Sequence, residues 1–92
     1  MSSSDIIIVG AGINGCASAY QLAREGHQVT VIERFSPAAM ASGWTLAGVR
    51  QSGRHPSELP IAIEAVKMWP KLSEELGAAT GYRQDGNLRL AR

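Results

Sequence analysis

The sequence predicts an α/β fold built on a parallel β-α-β unit, and three features of residues 5–34 predict it. Two short apolar runs, Ile6–Val9 and Val29–Ile32, have the length and the β-branched composition of buried parallel strands. A glycine-rich turn, GAGING, follows the first run directly. The segment from there to Gly26 has small and apolar residues at helical spacing. We therefore expect a strand, a turn, a helix over 13–25 and a second strand, in that order.

The three glycines of the turn suit a Rossmann-like unit that holds a dinucleotide. Gly10 lets the chain leave the strand sharply, Gly12 lets the backbone approach a pyrophosphate, and Gly15 lets the helix pack close to the strand. The helix that begins near Ile13 directs free N–H groups and the positive end of its dipole at that phosphate. The alternative is a β-α-β unit in which the glycines serve packing alone.

An acid at the end of the second strand supports the same interpretation. Glu33 follows the glycine turn at close to the usual offset of about 20 residues. Its carboxylate can accept hydrogen bonds from the hydroxyls of an adenosine ribose, and it would repel a 2′-phosphate. The alternative is a solvated acid at a strand end.

The length of the chain limits how well such a sheet can be covered. Its 92 residues form at most one small domain. Parallel strands that are apolar on both faces need cover on both sides, and one helix over 13–25 with one later helix barely provides it. Two strands also make a poor sheet. We therefore expect an incomplete domain, either a truncated gene product or one subunit of a split enzyme.

Composition and charge narrow the class of partner. The net charge is +1, and no basic run is interleaved with aromatic residues, so nothing indicates nucleic-acid binding. No apolar segment is long enough to span a membrane, and the first residues lack the basic region of a signal peptide. The expected location is cytoplasmic.

The middle and end of the chain predict a long loop, a helix and a final strand. Residues 35–57 are rich in glycine, proline and serine and have no helical period, so they predict an irregular and functional loop. Residues 57–77 have apolar residues at helical spacing and predict a helix. Residues 82–92 contain an Asp-Gly turn and an alternating pattern, which predicts a strand or hairpin.

Three positions mark the expected features of the 57–77 helix. Ser57 is the expected N-cap and Gly77 the expected C-terminal cap. Pro70 lies inside the segment, so we expect a kink or two abutting helices there. Trp69 is interpreted as a core or interface anchor.

The chain resembles the D-amino-acid oxidase family of flavoproteins, and within it the sarcosine/glycine oxidase branch. The resemblance covers essentially all residues and rests on GAGINGCASAYQLAREG, VTVIER, the loop SGWTLAGVR, a long helix with a central Trp, and GNLRLAR. It implies an FAD-dependent oxidation of an amine or amino acid, in which a hydride leaves the carbon next to nitrogen for flavin N5. Complete members are several times longer, so residues 1–92 would be the N-terminal part of the FAD-binding domain. Residues 82–92 would begin a substrate domain that this chain lacks.

The resemblance also implies roles for individual residues. The pyrophosphate would be held by the glycine turn, the ribose by Glu33, and Arg34 would lie near the adenosine. The loop after the second strand would run back along the flavin, the alternative being a plain surface loop. Arg50, from the same loop, would meet the carboxylate of the substrate and is the candidate catalytic residue, the alternative being a solvated arginine. The implied cofactor contacts are Gly10, Gly12, Ile13, Asn14, Gly15, Glu33, Arg34, Ser42, Ala47, Gly48 and Val49.

Three functions remain open at this point. The leading one is the N-terminal FAD-binding segment of an amine or amino-acid oxidoreductase, inactive alone, with its substrate site outside this chain. The second is a small nucleotide-binding subunit that completes an enzyme with a partner chain. The third is a non-enzymatic fragment that uses an exposed apolar sheet face for assembly.

Overall fold

The computed structural model describes residues 3–91, and the chain divides into two compact units. One unit ends at Ala47 and the other begins at Gly48. The first unit contains β1 (Ile6–Val9), α1 (Ile13–Arg24), β2 (Val29–Ile32) and a 3-10 turn (Ala41–Gly43), and the second contains a 3-10 turn (Pro56–Glu58) and α2 (Leu59–Leu76).

The first unit is the expected β-α-β unit. β1 and β2 pair in parallel, with Ile6 opposite Val29 and Val9 opposite Ile32. α1 connects them, and Gly26 adopts a φ of +96° just after the helix. The α/β class is therefore confirmed, as a two-stranded sheet with helices.

The two strands remain largely uncovered. Ala11 is the only residue among 3–91 that is buried, at 5% exposed. Ile7 is 61% exposed and Val9 is 85% exposed, although both are large apolar residues of β1. The sheet that orders the glycine turn thus leaves most of its apolar surface accessible.

The second unit opens with a different cap from the one expected. His55, not Ser57, caps the 3-10 turn: its Nδ1 accepts a hydrogen bond from the Ser57 amide at 3.2 Å. Glu58 completes a capping box, because its Oε2 accepts from the His55 amide at 3.4 Å. The prediction of Ser57 was wrong because Pro56 suits the first helical position, which places the cap at His55, two residues before Ser57.

α2 continues through its internal proline as one helix. Pro70 lies inside Leu59–Leu76, which excludes two abutting helices, the second of the two expected alternatives, and a kink at Pro70 stays a prediction. A proline has the φ of a helix and removes only one backbone donor, and the rest of a helix this long compensates for that loss. The helix ends as predicted at Gly77, whose φ is +66°. There the Gly77 amide donates to Glu74 O at 3.3 Å and the Ala78 amide donates to Ser73 O at 3.2 Å, which is a Schellman motif.

The segment after α2 returns along its last turns. The rings of Trp69 and Tyr82 stack with their centroids 5.7 Å apart. The Thr80 amide donates to Ser73 Oγ at 2.9 Å, which holds the returning chain to the helix. Trp69 therefore acts as the expected packing anchor within this unit.

The expected strand or hairpin is absent from residues 82–91, and residue 92 lies outside the described chain. A strand needs a neighbour to satisfy its backbone groups, and none pairs with this segment in the described chain. Arg83 instead forms an ion pair with Asp85, with Nε 3.1 Å from Oδ2.

Within residues 3–91, neither helix has the combination of length and apolar composition that a membrane crossing requires.

We predict that residues 1–92 on their own self-associate. An uncovered apolar face of a few hundred Å² represents several kcal/mol at about 25 cal/mol per Å², and the stability of a whole domain is only about 5–15 kcal/mol. Sedimentation velocity at micromolar concentration should therefore show oligomers. Ile7→Lys places a charge on the exposed sheet and should shift the distribution toward monomer.

Leu90→Lys is the matched control, because Leu90 is 92% exposed but lies outside the sheet. It should leave the distribution unchanged. A compact wild-type monomer with a cooperative melt would contradict the prediction.

Candidate cofactor site

The glycine turn is fixed by hydrogen bonds to the chain that leaves β2. The Gly10 amide donates to Ile32 O at 2.7 Å, and the Ala38 amide donates to Ala11 O at 2.9 Å. Ala38 has a φ of +58°, so the loop adopts a left-handed conformation directly beside this bond. The turn after β1 and the loop after β2 are therefore joined into one structure at the carboxyl ends of the strands.

Two glycines of the turn are required by its geometry. Gly10 has a φ of +106°, which L side chains rarely adopt. A Cβ placed on Gly15 would lie 2.0 Å from the carbonyl oxygen of Gly10. The first turn of α1 thus packs against the turn backbone itself, as the sequence predicted for Gly15.

The N-terminus of α1 presents backbone donors next to a hydroxyl. Gly12 occupies the N-cap position and has no side chain to cap the helix. Ser42, from the 3-10 turn, takes one donor: the Ile13 amide donates to its Oγ at 2.9 Å. Within residues 3–91, the amides of Asn14 and Gly15 have no acceptor. The first turn also carries no acidic residue, so these donors and the helix dipole favour an anionic group.

Glu33 lies beside this turn at the end of β2. Its Oε2 accepts a hydrogen bond from the Phe35 amide at 2.7 Å, and its Oε1 accepts from the Ala11 amide at 3.1 Å. These two bonds hold the pKa of the carboxyl below its ordinary value of 4.5, the bond from Phe35 having the larger effect. The carboxylate is therefore charged and fixed at neutral pH. Each of its oxygens has a further lone pair for a ligand hydroxyl.

A cavity of about 300 Å³ opens between the carboxyl ends of the two strands. Ligands of open α/β sheets bind at this end of parallel strands. The walls are mostly apolar, and Glu33 supplies a carboxylate at one side. The guanidinium of Arg34 lies over the Phe35 ring, 4.7 Å from its centroid. The lining residues are Val9, Gly10, Ile32, Glu33, Arg34, Phe35 and Met40.

The sequence predicted Glu33 and Arg34 at this site but did not predict the apolar side chains that line it. Phe35 and Met40 lie in the irregular loop, where no periodic pattern marks a side chain as a wall. Only Phe35 carried a usable signal, because it lies two residues after the strand-end acid, where the strands end, whereas nothing in the sequence marked Met40. Such a cavity can hold a flat ring against apolar side chains.

The structure brings only part of the predicted loop to the glycine turn. Ser42 contacts it, as described. Ala47 has a φ of +55° and its amide donates to Thr45 Oγ1 at 3.1 Å. Trp44, 86% exposed, donates from Nε1 to Ala39 O at 3.0 Å. A cofactor role for Ala47, and for Gly48 and Val49 in the second unit, stays a prediction.

The candidate catalytic arginine is held within its own loop. Arg50 is half-buried and donates a hydrogen bond from Nη1 to Ser52 O. Its predicted contact with a substrate carboxylate stays a prediction.

We predict that Gly15→Ala destabilises the protein by about 1–3 kcal/mol, the usual range for overpacking. The reason is the collision of the new Cβ with Gly10 O, which is backbone and cannot rotate away. Urea denaturation followed by circular dichroism measures the effect. Ser18→Ala, at an exposed position of the same helix, is the control and should be neutral or slightly stabilising. Equal urea midpoints for Gly15→Ala and Ser18→Ala would contradict the close approach of residue 15 to Gly10 O.

We also predict that the Glu33 carboxyl titrates below 4.5 in the folded protein. The bonds from Phe35 and Ala11 stabilise the ionised form, so their contribution to stability is fully present above 4.5 and is lost as the pH falls through the folded pKa. Carboxyl ¹³C NMR of Glu33, compared between folded and urea-unfolded protein, measures both values. A folded pKa at or above the unfolded one would show that the two bonds do not form in solution.

Comparison with known proteins identifies the family of the chain. Residues 5–92 match the family model described as DAO, FAD dependent oxidoreductase. Human mitochondrial dimethylglycine dehydrogenase is 33% identical over 90 residues, which cover 96% of this chain and 10% of that protein. Mouse mitochondrial pyruvate dehydrogenase phosphatase regulatory subunit is 33% identical over 92 residues, covering 99% of this chain and 10% of that protein.

A bacterial relative extends the comparison. The D-amino acid dehydrogenase of Xanthobacter autotrophicus is 37% identical over 83 residues, covering 77% of this chain and 20% of that protein. No solved structure matches the chain significantly. The chain spans about a tenth of the length of the two mammalian relatives described. It belongs to the DAO family of FAD-dependent oxidoreductases, and its cofactor is FAD.

Proposed function

We propose that the chain is the N-terminal FAD-binding segment of a flavin-dependent amine or amino-acid oxidoreductase. The observation that carries the proposal is the junction at Ala11. Its amide donates to the Glu33 carboxylate, and the same turn leads directly into the free N–H groups of α1. A ribose-binding acid and a phosphate-binding helix end are thus held side by side, as a dinucleotide requires.

The pyrophosphate is assigned to the N-terminus of α1. The amides of Asn14 and Gly15 are free to donate, and a Cβ at Gly12 would already crowd Ser42 Oγ at 3.1 Å. The Ser42 hydroxyl accepts from Ile13 and keeps its own proton for a phosphate oxygen. Gly10 forms the turn that orients the N-terminus of α1. These residues fit the negatively charged centre of FAD.

The adenosine is assigned to the cavity at the strand ends. Glu33 accepts hydrogen bonds from the ribose hydroxyls, while Phe35 and Met40 contact the base. Arg34 lies at the rim of the cavity near the adenosine. The space of about 300 Å³ is open to one side and has room for one nucleoside.

The family resemblance supports residues 47–50 as the flavin end of the site. Ala47, Gly48 and Val49 would contact the flavin, and Arg50 would bind the carboxylate of the substrate through its planar fork of donors. The bound flavin supplies an acceptor for the hydride that leaves the carbon of a C–N bond. The substrate class is therefore an amine or amino acid.

Residues 1–92 alone are proposed to be inactive and to bind FAD weakly or not at all. The contacts in the structure support only the adenosine and pyrophosphate half of the site, and the sheet that positions this half is largely uncovered. The remainder of the enzyme, or a partner subunit, would cover the sheet and supply the substrate site. The proposed location is cytoplasmic.

A non-enzymatic role is the second candidate, and one comparison favours it. The mouse relative named as a regulatory subunit is as similar to this chain as human dimethylglycine dehydrogenase is. A fragment that binds FAD without oxidising a substrate would have the same turn and the same acid. Bleaching of the flavin absorbance on anaerobic addition of an amine or amino acid distinguishes the enzyme from the regulatory fragment.

We predict that Glu33→Gln weakens FAD binding by about 1–3 kcal/mol in the protein that carries this chain, the scale for a charged hydrogen-bonding partner. Gln keeps the size of the side chain but loses its charge and one of its acceptor oxygens. Titration of the apoprotein with FAD, followed by flavin fluorescence, measures the affinity. Turnover at saturating FAD should change little, because the ribose lies far from the reacting flavin atom.

Glu25→Gln is the matched control. Glu25 is an exposed acid just after α1 and lies outside the cavity, so its removal should leave the affinity for FAD unchanged. Equal affinities for wild type and Glu33→Gln would show that Glu33 does not contact the cofactor.

A further inference from the structure

Two arginine side chains in the second unit converge on one backbone oxygen. Arg50 donates from Nη1 to Ser52 O. Arg89 donates from its own Nη1 to the same oxygen at 3.3 Å. Each guanidinium has five N–H donors and uses one of them here, so both retain most of their donors for another acceptor.

A glycine provides the space for this arrangement. Gly53 follows the shared carbonyl directly and has a φ of +69°. A Cβ at this position would lie 1.7 Å from Nη1 and 2.3 Å from Cζ of Arg89. The guanidinium of Arg89 therefore occupies the volume that any other residue at 53 would fill.

The pair has no counterion in the described chain. Within residues 3–91, neither Arg50 nor Arg89 forms an ion pair with a carboxylate. By contrast, Arg83 in the same segment is neutralised by Asp85 at 3.1 Å. Arginine stays protonated at all ordinary pH values, so two like charges are held next to each other. An anion between them would relieve this repulsion and would use the spare donors.

We propose that Arg50 and Arg89 form a two-arginine anion site for a carboxylate or phosphate group, with Gly53 as the residue that admits the second arginine. Planar forks of N–H donors match either group, and bidentate pairs of this kind are among the strongest charge-assisted hydrogen bonds. In taking the anion to be the carboxylate of an amino-acid substrate, the proposal rests on the proposed function. A phosphate of the cofactor is the other source of the same chemistry.

The first arm of the test measures anion binding to the FAD-loaded protein that carries this chain, by ligand-observed ¹⁹F NMR at constant ionic strength. Trifluoroacetate is the carboxylate probe and fluorophosphate the phosphate probe. We expect saturable binding of trifluoroacetate in wild type. Arg50→Gln and Arg89→Gln should each weaken it by about tenfold or more, because each removes a charged donor group. Tighter binding of fluorophosphate than of trifluoroacetate would assign the site to a phosphate.

The second arm separates the effect of the position of the Arg89 guanidinium from the effect of its charge. Gly53→Ala keeps both arginines but displaces the guanidinium of Arg89, so it should also weaken binding several-fold. Arg89→Lys keeps the charge without the fork, and it should fall between wild type and Arg89→Gln. Arg89→Lys also tests the role of the guanidinium if Arg89→Gln fails to fold.

Arg54→Gln is the control for charge alone. It removes an exposed arginine of the same loop and should change the affinity less than twofold. Wild-type affinity in Arg89→Gln, Arg89→Lys and Gly53→Ala would overturn the proposal, as would an equal loss in Arg54→Gln. Flavin absorbance of each sample reports FAD retention separately, so failure of the flavin assignment is distinguishable from failure of the anion site.

Discussion

The hydrogen bond between the Ala11 amide and the Glu33 carboxylate is the interaction on which the site depends. It joins the turn after β1 to the end of β2 at 3.1 Å, and the bond from the Ala38 amide to Ala11 O continues the connection into the loop. Ala11 is buried, so both of its polar backbone groups would be costly to leave unsatisfied. The acid that we propose binds a ribose is therefore also a structural support for the glycine turn, and the two halves of the proposed nucleotide site keep a fixed spacing.

The Ser42 hydroxyl supplies the cap that α1 does not have in its own sequence. The N-cap is Gly12, which has no side chain to accept a hydrogen bond, and a Cβ there would lie 3.1 Å from Ser42 Oγ. Ser42 comes from a different part of the chain and accepts the Ile13 amide at 2.9 Å. One donor is thus satisfied by a residue from another part of the chain, while within residues 3–91 its neighbours in the first turn have no acceptor.

The parts of the fold that the sequence predicts well are those specified by neighbouring residues. The apolar runs defined β1 and β2, the spacing of Gly10 and Gly15 defined the turn, and Gly77 defined the end of α2. Two expectations were wrong for different reasons. A strand over 82–91 needs a partner from distant chain that the described residues do not provide. The cap at His55 is a local effect, because Pro56 starts the turn before the expected cap. The cavity walls and the contact of Arg89 with Ser52 form only when residues that are far apart in the sequence come together, so no local sequence pattern predicts them.

The two tryptophans of the chain divide between the two units. Trp44 lies in the first unit, exposed and held through its indole N–H by Ala39 O, whereas Trp69 lies in the second and stacks on Tyr82. Their emission should differ accordingly, since one indole faces water and the other a phenol ring. Replacing either tryptophan with phenylalanine would leave a chain with one fluorophore. Each half of the chain thus contains its own optical reporter, and the folding of the two halves can be followed separately without any added label.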